Sequence, residues 1–82
     1  MATITIYTTP YCPYCQRAKQ LLDSKQAAYQ EIDVSDRSLR PEMTKITGGT
    51  TVPQIIIDGN PIGGCDELYA LERAEKLDAL LA

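Results

Sequence analysis

Hydrophobic and polar positions change their period several times along the chain. Thr3-Ile4-Thr5-Ile6-Tyr7 alternates β-branched residues with period two and predicts a strand. Strong helix formers follow from Gln16 to Leu22, with Ala18, Leu21 and Leu22 on one face. They predict a helix of about three turns from Pro13 to near Lys25, with Arg17, Lys19 and Lys25 turned to water. Alternation returns over residues 27–34, giving a second strand and a right-handed parallel βαβ unit. Ser35 or Asp36 can cap a second helix through Leu39, Met43 and Ile46, with Pro41 in its first turn and Gly48-Gly49 at its end. Residues 53–57 form a continuous apolar run, as in a strand buried on both faces. Asp58-Gly59-Asn60 is a hairpin turn signal, and Pro61-Ile62 a short antiparallel edge strand where proline costs little. A final helix is expected from Asp66 onward, with Leu68, Leu71, Leu77, Leu80 and Leu81 as its core stripe.

Composition narrows the class. Eighty-two residues suffice for one domain with a modest core, so residues 1–82 are expected to form a single α/β unit. No apolar run approaches the ~18 residues of a membrane span, and no secretory signal precedes the first strand, so no membrane association is expected and the cytoplasm is the expected compartment. A net charge of -3 argues against non-specific nucleic-acid binding. Three cysteines are too few, and odd in number, for a disulfide-stapled secreted domain.

Two of the three stand at the junction of the first strand and helix, as Cys12-Pro13-Tyr14-Cys15. With Cys12 as N-cap, Pro13 falls at the first helical position, where its missing N–H is not needed. The amides of Tyr14 and Cys15 then point back at the Cys12 sulfur, and the helix dipole adds positive charge there. This favours thiolate: a free cysteine titrates near ~8.5, and helix N-termini with this spacing lower that to roughly 3.5–7.5. Cys15 lies one turn on, on the same face, behind the first turn. Cys12 is therefore read as the attacking nucleophile and Cys15 as the resolving thiol. Half of a zinc site, or two unremarkable buried cysteines, are the competing readings; against zinc, the chain has no histidine and only Cys65 besides.

A βαβ unit, a helix, a β-hairpin and a closing helix, with Cys-X-X-Cys at the first helix start, resemble the thioredoxin-like fold, a four-stranded mixed sheet flanked by helices. Thr51-Val52-Pro53 resembles the cis-proline loop of that superfamily, and Gly63-Gly64-Cys65-Asp66 the glycine turn of glutaredoxins. With Cys-Pro-Tyr-Cys, these motifs resemble the dithiol glutaredoxins over nearly the whole chain, and its length and tail are similar to those of the small bacterial members.

The resemblance implies a glutathione-dependent thiol–disulfide oxidoreductase. Its partners would be glutathione as reductant and co-substrate, disulfide-containing or glutathionylated proteins, and indirectly glutathione reductase. It implies no permanently bound cofactor, no metal or flavin, and a monomer. The glutathione site it implies comprises Tyr14, Arg40, Thr51, Val52, Pro53, Gly64, Cys65 and Asp66. Val52, held extended by the proline after it, can offer N–H and C=O to a peptide as a strand edge does. Pro53 in another reading simply begins a strand. Gly63-Gly64 permits close backbone approach, and Cys65-Asp66 opens a helix whose amides can hold a carboxylate. Asp66 can serve as N-cap, pair with the γ-glutamyl amine, or do both. Cys65 gains acidity if the helix start acts on its thiol, or is a small, partly buried residue contributing backbone. Thr9 occupies the place where the family usually has a lysine for the glycine carboxylate, and Arg40 is the cation left to meet it; its alternative is a solvated helix side chain. Two other functions share these motifs: a redoxin driven by thioredoxin reductase, and a cluster-binding module in which two chains and two glutathiones hold iron and sulfur through Cys12.

Overall fold

The computed structural model describes residues 2–81. Four strands, β1 (Ile4–Thr8), β2 (Gln30–Asp33), β3 (Gln54–Ile57) and β4 (Asn60–Gly63), form a sheet ordered β2-β1-β3-β4. β1 runs parallel to β2 and antiparallel to β3, which pairs antiparallel with β4, so the sheet is mixed as expected. Among the described residues the α-helices are α1 (Pro13–Ser24), α2 (Arg40–Thr47), α3 (Cys65–Arg73) and α4 (Leu77–Leu81).

Period-two alternation in β1 divides the core into two layers. Ile4 and Ile6 pack with Ala18, Leu21 and Leu22 of α1, Ile55 and Ile57 of β3, Leu68 of α3 and Leu77 of α4. Tyr7 points the other way, into a smaller cluster with Val34, Met43 of α2 and Ile56. Helices α1, α3 and α4 thus cover one face of the sheet and α2 the other. The β3–β4 turn takes positive φ at Asp58 (51°) and Gly59 (82°), as a two-residue hairpin needs. Asp58 also pins the start of the sheet, accepting from the Thr3 amide at 2.8 Å.

Several expected elements are altered by packing. The second strand begins at Gln30 rather than Ala27, because residues 25–27 close α1: Gln26 is left-handed (φ 56°) and the Ala27 amide donates to the Leu22 carbonyl. Asp36 caps a short 3-10 turn, Arg37–Leu39, before α2 begins, and of Leu39, Met43 and Ile46 only Met43 is buried. The run at residues 53–57 is buried, yet it includes a polar side chain, Gln54, which donates to Thr51 Oγ1 at 3.4 Å. The expected final helix is two helices. Glu75 turns left-handed (φ 59°) and the Lys76 amide donates to the Leu71 carbonyl, which ends α3 and turns Leu77 into the core. Lys25 bridges that break, with Nζ 2.8 Å from both Glu72 and Asp78. Leu80 is left 39% exposed, outside the core stripe.

Edge strand β2 is held to its neighbours by polar contacts. Glu31 Oε2 accepts from the buried Thr8 hydroxyl at 2.6 Å and from Lys19 Nζ at 3.0 Å, and these hold its carboxyl below the usual range. Asp33 and Asp36 are lowered too, by bonds from Ser35 and Ser38. A carboxyl with a depressed pKa in the folded state contributes stability above its unfolded value that is lost as pH falls through the folded one. The denaturation midpoint should therefore decline on acidification from about pH 5 toward about pH 3. Glu31→Gln should flatten part of that decline, and an unchanged acid limb in this variant would contradict the role given to the Thr8–Glu31–Lys19 contacts.

Candidate active site

Strand β1 delivers the chain to one end of the sheet, and Thr9-Pro10-Tyr11 carries it to the start of α1. Cys12 is extended (φ -108°, ψ 107°) and is the N-cap, with Pro13 at the first helical position. Its side chain accepts from the Cys15 amide, Sγ lying 3.1 Å from the nitrogen. Of the two amides expected to turn toward the sulfur, it is that of Cys15 which makes the bond. The Cys12 carbonyl accepts from the Gln16 amide at 3.1 Å and closes the first turn.

The two thiols occupy different surroundings. Cys12 is partly accessible, whereas Cys15 is 1% exposed. Burial pushes the Cys15 thiol up to about 12, and its hydrogen bond with Cys12 adds to the rise. One cysteine is placed to meet a substrate and the other to wait protonated beneath it.

Opposite Cys12 stands the loop before β3. The Val52–Pro53 peptide is cis, and the Cys12 thiol donates to the Val52 carbonyl with Sγ 3.7 Å from the oxygen. Beside this pair lies a cleft of about 320 Å³ lined by Tyr14, Thr51, Val52, Pro53, Gly64, Cys65, Asp66 and Glu67. Seven of the eight residues named above for a ligand site are thus brought together from α1, the β3 approach and the start of α3. Arg40 is not among them: at the start of α2, its Nε donates to the Val34 carbonyl at 3.2 Å. The eighth lining residue, Glu67, was not anticipated. Its Oε1 accepts from the Gly64 amide at 3.1 Å, and its signal was the three-residue spacing from cap to glutamate, with glycine in place of the usual serine or threonine.

At the glycine turn the structure decides between alternatives for Asp66 and Cys65. Gly64, not Asp66, is the N-cap of α3, so Asp66 sits at the second helical position, exposed, with its carboxylate free of a capping duty. Cys65 opens the helix but is 7% exposed, and burial, then the neighbouring Asp66 charge, push its thiol up rather than down. It lines the cleft and contributes a small side chain to the core.

Among the described residues, no group of three or more His, Cys, Asp or Glu side chains could hold a metal ion, and no helix is long and apolar enough to cross a membrane.

Comparison with known proteins gives a consistent result. The glutaredoxin family profile matches residues 4–62. A glutaredoxin of Pseudomonas aeruginosa is 55% identical, over 100% of this chain and 99% of its own length. Glutaredoxin 3 of Escherichia coli is 54% identical, over 99% of both chains. Among solved structures, a buckwheat glutaredoxin–glutathione complex superposes with a TM-score of 0.90 at 33% identity, covering 98% of this chain and 76% of that one.

Proposed function

This chain belongs to the glutaredoxin family and is a thiol–disulfide oxidoreductase with Cys12 and Cys15 as its redox-active pair, and we propose that it draws its electrons from glutathione and reduces protein disulfides and glutathione mixed disulfides. The observation that carries this reading is the continuity of the Cys12 sulfur, the Val52 carbonyl and the cleft that runs from Val52 to the start of α3.

The Cys12 thiolate attacks one sulfur of a substrate disulfide, a new S–S bond forms to Cys12, and the other sulfur leaves as a thiolate that takes a proton. With a protein disulfide, Cys15 then loses its proton and attacks the Cys12 sulfur, which frees the second substrate thiol and leaves Cys12–Cys15 oxidised. Two glutathiones restore the dithiol and become glutathione disulfide. With a glutathionylated protein, Cys12 takes the glutathionyl sulfur, the protein leaves as a thiol, and a second glutathione thiolate attacks the adduct.

The surroundings of Cys15 order these steps. Part of what holds its proton is Cys12 itself, through their hydrogen bond and the Cys12 charge. Both contributions vanish once Cys12 is in a mixed disulfide. Cys15 is thus easiest to ionise at the stage when it must attack.

Glutathione attached to Cys12 would lie in the cleft. The Val52 carbonyl, which accepts from the Cys12 thiol in the free protein, is released when that sulfur loses its proton or is joined to another, and can accept from the amide of the adduct as a strand edge would. Gly64 and Cys65 present backbone at the start of α3 for the γ-glutamyl carboxylate, and the free Asp66 carboxylate suits its amine. Tyr14 and Thr51 flank the tripeptide. Arg40, outside the lining and with its Nε donating to the Val34 carbonyl, is the cation proposed to meet its glycine carboxylate. The cytoplasm, where glutathione is kept reduced, is the compartment this chemistry needs.

The reading is tested by the source of electrons. Glutathione with glutathione reductase and NADPH should sustain turnover of a glutathionylated thiol, whereas thioredoxin reductase with NADPH and no glutathione should not. The opposite pattern would make the chain a thioredoxin-reductase-driven redoxin despite its glycine turn.

A further inference from the structure

The cleft beside Cys12 does not end at Asp66. On the far side of Cys65 and Asp66 a second groove of about 470 Å³ opens between α1 and α3, lined also by Arg17, Gln20, Tyr69 and Arg73. Arg17 and Arg73 are exposed and converge there from the two helices. The Tyr69 hydroxyl donates to the Arg17 carbonyl at 3.2 Å and ties the two walls together. The Arg17 guanidinium lies 5.9 Å from the ring centroid of Tyr14, inside the active-site motif, so one arginine stands at the border of both cavities.

Two cations share this groove with a single carboxylate, in a chain whose net charge is -3. Among the described residues the ion pairs are made by Lys19 and Lys25, and neither arginine is in one. Arginine is suited to carboxylate because its planar fork donates two parallel hydrogen bonds. A ligand entering the groove meets uncommitted guanidinium N–H groups from both sides and a Gln20 amide.

We infer that this groove receives an acidic side chain of the protein being reduced, an Asp or Glu a few residues from the cysteine under attack. The inference deepens the proposed function and rests on it. Continuity fixes the geometry: a substrate chain leaving the Cys12 sulfur passes the start of α3 and reaches the groove over the shared Cys65-Asp66 rim. Charge fixes the occupant. The groove would give the enzyme a preference among protein disulfides that the glutathione cleft, which sees the same tripeptide each time, cannot supply.

Two synthetic peptides with an identical intramolecular disulfide, flanked by Asp-Asp in one and Asn-Asn in the other, test this under glutathione and glutathione reductase. At low salt the parent should reduce the Asp peptide with a kcat/KM about five- to tenfold higher, mainly through KM, since exposed ion pairs act at that scale. The advantage should shrink at ~0.5 M NaCl, where the screening length is only a few ångströms. Arg73→Gln should remove much of it, and Arg73→Glu should turn the preference toward a Lys-Lys peptide, a reversal that mere loss of structure would not produce. Turnover of a small glutathione mixed disulfide should be unchanged in Arg73→Gln. Equal rates for the two peptides in the parent, or a preference that survives both Arg73 substitutions, would overturn the inference. So would a matching rise in KM for the small glutathione adduct, which would assign the groove to glutathione instead. A parent inactive on both peptides and on the adduct would refute the proposed function, and the inference with it.

Discussion

Cys12→Ser is expected to lose turnover of every disulfide substrate, by at least about a thousandfold, while Cys15→Ser retains exchange with glutathione mixed disulfides and loses reduction of intramolecular protein disulfides. The asymmetry follows from two sulfurs one helical turn apart. Cys12 caps the helix, accepts from the Cys15 amide and, partly accessible, lies against Val52 of the cleft wall. Serine keeps the cap but cannot supply the nucleophile, because a hydroxyl is almost wholly protonated at neutral pH. Cys15 is buried and its pKa stands near 12, so it cannot make the first attack. Its only opening is an intramolecular one, against the sulfur directly above it. A glutathione adduct on Cys12 does not need that attack, since a second glutathione can supply it. Parallel assays on a glutathionylated peptide and on a peptide with an internal disulfide separate the two variants. Identical behaviour of both on both substrates would mean that the roles are not divided as the burial of the two sulfurs requires.

How far the sequence carries this site depends on the range of the interactions involved. The junction of β1 and α1 is local: alternation stops, a cap residue and a proline follow, and Cys12 must sit at the helix start. Gly63-Gly64 and the Asp58-Gly59 turn are equally local, and both lie where their backbone chemistry puts them. Where tertiary packing decides, the pattern misleads. Nothing near Glu75 announces that the last helix must break, because the break is set by how Leu77 reaches a core built from β1 and β3. Leu39, Ile46 and Leu80 have helical spacing yet remain exposed, since spacing tells which residues share a face and not whether anything covers it. The cap of α3 was displaced by two residues because Gly64 has no side chain to announce itself, and Glu67 supplies the bond from downstream. Arg17 and Arg73 lie on different helices, and only the packing of α3 on α1 reveals that they share a groove.

Gly64→Val should raise KM for glutathionylated substrates between about tenfold and a hundredfold, with the fold intact, since displacements near 1 Å in a positioning wall have effects of that size. The backbone at Gly64 (φ -99°, ψ -158°) is extended and open to any residue, so a side chain there brings no conformational strain. What it meets is the opposite wall. A Cβ at this position would stand 3.2 Å from the Pro53 carbonyl oxygen, closer than carbon and oxygen normally approach, and that oxygen belongs to the loop that carries Val52. Two walls of the cleft therefore touch at the one residue without a side chain. A β-branched group would push them apart and fill the space in which the adduct is proposed to lie. Alanine should give the smaller part of the effect, because the loop need shift only a few tenths of an ångström. Alkylation of Cys12 by a small reagent such as iodoacetamide should keep its parental rate in both variants, since neither Sγ nor the Cys15 amide is touched. An unchanged KM in Gly64→Val would show that the glutathionyl group lies elsewhere, and equal losses in KM and in alkylation would show that the substitution had disturbed the start of α1 instead.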